Sequence, residues 1–184
     1  MKATASALVV VAALLSAACG EGRAIFNVDV HSFLTGTGKD TVPYIIPPNT
    51  TDSAATFQRV QLPPGFGNSF VESATLTGTG DMRNTAGAGT IGLRIYIAVD
   101  SASTLDSATA FALGTSNASV SGTTVTPISI SGGLTPAVLD AFSNSEVWIR
   151  VVARGQNASL VNQVTGKMVL TALVLRVVLQ DRFF

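Results

Sequence analysis

Apolar and polar positions alternate strictly through "TIGLRIYIAVD", Thr90–Asp100. Ile91, Leu93, Ile95, Ile97 and Val99 take one side; Gly92, Arg94, Tyr96 and Ala98 take the other. A period of two predicts a β-strand with one buried face. Ser145–Arg154 repeats the pattern, with Val147, Ile149 and Val151 opposed to Trp148, Arg150 and Val152. Phe26, Val28 and Val30 alternate with Asn27, Asp29 and His31. Phe57 and Arg59 oppose Gln58 and Val60 more weakly. Ser69–Gly78 reads as a strand, as does Thr123–Ser131, where Pro127 demands an edge or a bulge. Thr41–Pro48 is a short extended piece whose prolines confine it to an edge or loop.

The remaining segments carry other signals. Pro63–Asn68 is a turn cluster, and Thr79–Gly89 ("TGDMRNTAGAG") predicts a long polar loop. Ser101–Gly122 is low in complexity and predicts a loop around one short strand near Thr109–Leu113. Gly155–Gly166 is mainly loop. Lys167–Gln180 is apolar on both sides, which predicts a long central strand covered on both faces, or a subunit contact. One helix is predicted in "GGLTPAVLDAFSN", with Thr135 as cap, Pro136 at the first helical position, and Val138, Leu139 and Phe142 on one face. Eight or nine short strands and one short helix predict a mainly β fold. It is read as an antiparallel β-sandwich of jelly-roll or immunoglobulin-like type. Without βαβ alternation, doubly wound folds are not expected.

The N-terminus must be set aside before the fold is counted. Lys2 precedes "ALVVVAALLSAA", Ala7–Ala18, an apolar run too short to span a bilayer and fitting a signal-peptide core. Ala17 and Ala18 lead directly to Cys19, the one cysteine of the chain. This stretch resembles the lipobox of bacterial lipoproteins, with Ser16 where the family usually has Leu. The resemblance implies cleavage after residue 18, lipidation of Cys19 and a membrane anchor. Gly20 in place of Asp implies, by the family's sorting rule, the outer membrane. The expected organisation is a signal peptide over 1–18 and one domain over 19–184, with 19–23 as a tether.

Composition narrows the function. Eleven basic residues balance eleven acidic ones, so there is no electrostatic case for nucleic acid. One His and one Cys cannot supply a His/Cys metal site, and no cofactor motif occurs. The pentapeptide Leu-Thr-Gly-Thr-Gly occurs at Leu34–Gly38 and again at Leu76–Gly80. Neither copy has the spacing of a phosphate loop. Both are read as strands ending in similar glycine corners. A calcium reading of Asp40 and Asp81 has one carboxylate per loop, too few for a tight site. A hydrolase would have to use His31 with Asp29, yet no G-x-S-x-G elbow is present. The sequons at Asn49, Asn117 and Asn157 are read as polar loops.

One surface offers chemistry. Tyr96 and Arg94 share the polar face of one strand, Trp148 and Arg150 that of another, and Arg176 faces similarly in the last. In a common sheet they would form an aromatic and arginine ladder able to stack on sugar rings and donate to hydroxyls and carboxylates. The competing reading places Trp148 in satellite core and the arginines in solvent. The sequence thus points to a non-catalytic, membrane-anchored envelope lipoprotein. It would act as a structural or protein-interaction module, its partner an envelope protein or a second copy. The alternative is a carbohydrate-binding module using the aromatic and arginine face on a polysaccharide.

Overall fold

The computed structural model describes residues 22–62, 70–105, 111–133 and 140–181. The signal segment with Cys19, the turn cluster at 63–69 and most of the expected helix, 134–139, lie outside them. The strands are β1 (Gly22–Asp29), β2 (Thr41–Ile46), β3 (Thr51–Gln61), β4 (Phe70–Ala86), β5 (Ala88–Ala98), β6 (Phe111–Ser121), β7 (Thr124–Gly133), β8 (Glu146–Gln156) and β9 (Val164–Asp181). One α-helix, α1 (Val30–Thr35), lies between β1 and β2. Every pairing is antiparallel.

Two sheets form. One runs β1-β9-β4-β7, with β2 also on β9; the other runs β3-β8-β5-β6. β1 pairs with residues 174–181 of β9 and β2 with residues 164–169, so the two make one interrupted strand. Counted that way, successive strands cross between sheets in the order of a jelly roll. The expected β-sandwich is present, and its strand order selects the jelly roll over the immunoglobulin-like arrangement. Ile91, Leu93, Ile95 and Ile97 of β5 and Val147, Ile149 and Val151 of β8 are fully buried against Leu76, Met82, Leu173 and Leu175 of the facing sheet. The alternation of these strands sends one side inward and leaves the other for a surface.

Several expectations are corrected. Val30–Thr35 continues no strand. Asp29 caps a helix by accepting from the Ser32 amide at 3.2 Å, and Val30 and Leu34 bury completely. The helix fills the gap in the β9 edge: the Asp40 carbonyl accepts from the Leu170 amide at 2.8 Å, and His31 Nε2 donates to the Leu170 carbonyl at 2.9 Å. Of the helix expected further on, the described part, Asp140–Ser143, is a 3₁₀ turn that buries Phe142. The expected polar loop Thr79–Gly89 is instead the end of β4, a single turn at Gly87 (φ 76°) and the start of β5. β6 extends over 11 residues where one short strand was expected.

The repeated pentapeptide folds in two ways. Leu34–Gly38 closes α1 and leaves it through Gly38 at φ 67°. Leu76–Gly80 lies inside β4. There Gly80 sits at a bulge, where an added Cβ would lie 2.6 Å from the Val169 carbonyl oxygen. The two strand-to-loop corners are therefore not formed. The same bulge explains the two-sided look of β9. Met168 and Leu170 face the core, Thr171 is skipped in the register, and Leu173, Leu175, Val177 and Leu179 then face the core on the opposite parity. The outer side of β9, with Val174 and Val178 half-buried and Arg176 exposed, is not covered.

Two buried asparagines lock the corners at one end. Asn84 Nδ2 donates to the carbonyls of Ala86, Gly87 and Gly122 at 3.1, 3.0 and 2.6 Å. Its Oδ1 accepts from the Tyr44 hydroxyl at 3.2 Å. Asn157 Nδ2 donates to the carbonyls of Ile46, Pro47 and Asn162. Asn157 is thus no exposed loop sequon, and Asn117 lies within β6.

Candidate functional site: the outer face of the four-stranded sheet

The outward side of β3-β8-β5-β6 is read directly from the register. Phe57, Arg150 and Tyr96 form one rung across β3, β8 and β5. Ala55, Val152 and Arg94 form the next, then Ser53, Arg154 and Gly92. On the other side of the first rung lie Arg59, Trp148 and Ala98. Four of the five expected ladder residues, Trp148, Tyr96, Arg94 and Arg150, therefore share this face. Arg176 does not. It pairs with Asn27 and Thr75 on the outer face of the other sheet, because β9 belongs there.

Arg150 organises the face. Its guanidinium lies 5.5 Å from the Phe57 ring centroid and 5.4 Å from that of Tyr96, held between two aromatic neighbours. Nη1 donates to the Thr104 carbonyl at 3.4 Å, while Nε is buried without a hydrogen-bond partner. Thr104 is presented by the 3₁₀ turn Ser103–Leu105. Asp100 fixes that turn by accepting from the Ser103 amide at 2.7 Å and from its hydroxyl at 2.8 Å. These bonds hold the Asp100 carboxyl below the usual carboxylate range.

Beside this clamp lie two adjoining depressions of about 280 and 240 Å³. Val152, outward but only 4% exposed, lines the second, and the Asn117 side chain, which lines the first, lies over Gly92. Arg94 and Arg154 line both; Asn117, Thr51 and Gln156 line the first, and Tyr96, Arg150 and Asp52 the second. Among the described residues the ion pairs are Arg23–Glu72, Arg59–Glu146 and Arg83–Asp81, so Arg94, Arg150 and Arg154 have no carboxylate partner there. Asp52 Oδ1 instead accepts from the Ser53 amide at 2.7 Å. Trp148 is half-buried on the same face, flanked by Arg59, whose charge is met by Glu146 at 3.4 Å. It is neither fully solvated nor core.

Phe57 and Arg154 were missed by the sequence reading. Arg154 carried a usable signal, since it stands two and four positions beyond Val152 and Arg150 on one strand. Phe57 needed the β3–β8 register, which alternation cannot supply. The His31–Asp29 pairing of a hydrolase is not formed, since His31 bonds to the Leu170 carbonyl and Asp29 caps α1. Among the described residues no group of three His, Cys, Asp or Glu could hold a metal, and Asp81 pairs with Arg83 at 3.2 Å. No described helix is long and apolar enough to cross a membrane.

No protein-family model matches the chain, and no curated protein matches its sequence. Two solved structures show a remote likeness. The structure of infectious bursal disease virus Gx strain is 7% identical over 86% of this chain and 38% of that one, with a TM-score of 0.39. The CBM22-1–GH10 modules of Clostridium thermocellum endo-1,4-beta-D-xylanase 10B, complexed with xylohexaose, are 10% identical over 87% of this chain and 26% of that one, with a TM-score of 0.25. The chain thus spans well under half the length of either. Similarities this low carry no argument about what the chain does.

Proposed function

We propose that this chain is a binding module held at the cell envelope by a lipid on Cys19, and that it takes a polysaccharide on the outer face of β3-β8-β5-β6. The observation that carries the reading is the Arg150 clamp between Phe57 and Tyr96, set beside two adjoining depressions lined by Arg94 and Arg154. A rigid donor beside a polar trough suits a hydroxyl-rich chain lying along the strands, and Trp148 adds a ring face at one end. The anchor rests on the lipobox-like Leu14–Cys19 stretch, and outer-membrane sorting on Gly20. The test is affinity electrophoresis of the full-length chain, purified in mild detergent, through gels carrying neutral or acidic polysaccharides. Trp148→Ala and Tyr96→Ala are expected to remove retardation with little change in melting temperature. Retardation unchanged in both variants would place the ligand elsewhere.

A second reading, an interaction module for an envelope protein, is favoured by a different observation. Leu160 and Val161 are 79% and 82% exposed, on a loop held by Ser159 Oγ accepting from the Val161 and Asn162 amides. Crosslinking in living cells with full-length protein separates the two readings. A reproducible protein adduct lost in Leu160→Asp would favour this one.

A further inference from the structure

We infer that the polysaccharide bound at this face is acidic, its carboxylate or sulfate groups taken by Arg94, Arg150 and Arg154. The inference rests on the binding face proposed above and specifies its ligand. The chain as a whole is neutral, and each of Arg23, Arg59 and Arg83 has a carboxylate within 3.4 Å. Of the described Lys and Arg residues without one, Arg94, Arg150 and Arg154 share this face, while Lys39, Lys167 and Arg176 lie apart from it. Arg150 and Arg154 stand four residues apart on β8, about 13 Å along the strand. Arg94, opposite Val152, falls between them on β5, about 7 Å diagonally from each. Asp52 is the one carboxylate lining the depressions and pairs with none of the three, so the guanidiniums leave a net positive charge there that an anion offsets. They form a staggered row along the strand direction, which fits a linear polymer bearing charge at intervals.

The chemistry of the lining selects among polyanions. A guanidinium fork donates two parallel hydrogen bonds to a carboxylate or a sulfate. Asn117, Thr51 and Gln156 around Arg94 and Arg154 offer amides and hydroxyls to sugar hydroxyls. Nucleic-acid bases would need open aromatic faces for stacking. Phe57 and Tyr96 instead have Arg150 over their rings, which leaves Trp148 alone among the named aromatics for stacking, too few for a run of bases, while the guanidiniums and amides still serve a glycan's hydroxyls and acidic groups.

The experiment measures binding of the full-length protein in detergent to polygalacturonate, dextran sulfate, neutral xylan and single-stranded DNA, each at low and high salt. Either acidic glycan should bind more tightly than xylan and weaken as salt rises, and the tighter one names the acidic group. Arg94→Gln and Arg154→Gln should each weaken acidic-glycan binding about tenfold without changing the melting temperature. Arg94→Lys, which keeps the charge but loses the fork, should fall between. Equal binding of xylan and the acidic glycans would overturn the acidic assignment while leaving the binding face intact. No binding to any glycan would overturn both. Tighter binding to DNA would overturn the glycan.

Discussion

Asn157→Ala should cost this protein a large share of its stability. The side chain is 2% exposed, and its amide donates to the carbonyls of Ile46, Pro47 and Asn162 at 3.1, 3.1 and 2.8 Å. Its oxygen accepts from the Ser159 amide at 2.9 Å. Two amide hydrogens shared by three carbonyls, plus one accepted bond, amount to about three net hydrogen bonds, each contributing ~1 kcal/mol. The carbonyls left behind regain water only if the corner between β8 and β9 opens, so the expected loss is about 3–4 kcal/mol. That is a substantial part of the ~5–15 kcal/mol typical of a domain, and corresponds to a fall in melting temperature of about 10 °C. The assay is urea unfolding of wild type, Asn157→Ala and Asn117→Ala. Asn117 begins the same Asn-Ala-Ser tripeptide but is exposed on β6, so its loss should be within ~0.5 kcal/mol. Asn157→Asp should be worse than Ala at neutral pH, because a carboxylate would face three carbonyl oxygens. Loss below ~1 kcal/mol in Asn157→Ala, or parity with Asn117→Ala, would refute the corner-lock argument.

Gly36→Ala should be neutral or slightly stabilising, since Gly36 is αR and an added Cβ stays 3.4 Å from its nearest neighbour, the Ser32 carbonyl oxygen. Gly78→Ala, at the matching place in the second pentapeptide, should cost about 1–3 kcal/mol because the Cβ would lie 2.9 Å from Leu173; urea midpoints check both. His31→Ala should destabilise by about 1–2 kcal/mol by orphaning the Leu170 carbonyl, with His31→Gln recovering part; equal losses would show that the hydrogen bond is irrelevant. Burial pushes the Tyr44 hydroxyl from 10.0 up to about 12, so the folded state holds that proton more tightly than the unfolded chain. Its stabilisation is complete below pH 10 and is lost as pH rises through about 12. The gap in unfolding free energy between wild type and Tyr44→Phe should therefore shift against wild type over that range, by about 3 kcal/mol at its limit.

The face was legible where alternation was strict. β5 and β8 have apolar inward sides without exception from Ile91 to Ile97 and from Val147 to Val151, so Arg94, Tyr96, Trp148 and Arg150 could be placed outward from sequence. Alternation leaves the adjacency of those strands open: β5 pairs with β8, whereas β9 belongs to the other sheet and carries Arg176 away from the face. Strand order is a long-range property that local pattern does not encode. The pentapeptide misled for a related reason. Thr and Gly suit a helix exit and a bulged strand equally; the second copy is extended between β7 and β9, where Val169 and Leu173 leave no room for a Cβ. α1 hid behind a strand-like alternation because Val30 and Leu34, four residues apart, also satisfy a helix. Asn84 and Asn157 carried no sufficient local signal, since Gly122 and Tyr44 for the first and Ile46 and Pro47 for the second come from other corners.

The chain's single tryptophan, Trp148, lies on the proposed binding face, which makes intrinsic fluorescence the most direct test of the central claim. Full-length protein in mild detergent would be titrated with polygalacturonate, dextran sulfate and xylan while binding is followed in parallel by sedimentation. The account predicts a saturable change in Trp148 emission that tracks the bound fraction and is lost, with binding, in the Arg94→Gln, Arg154→Gln double variant. Binding by sedimentation with unchanged Trp148 emission and no loss in the double variant would contradict it, and would move the site off the β3-β8-β5-β6 face.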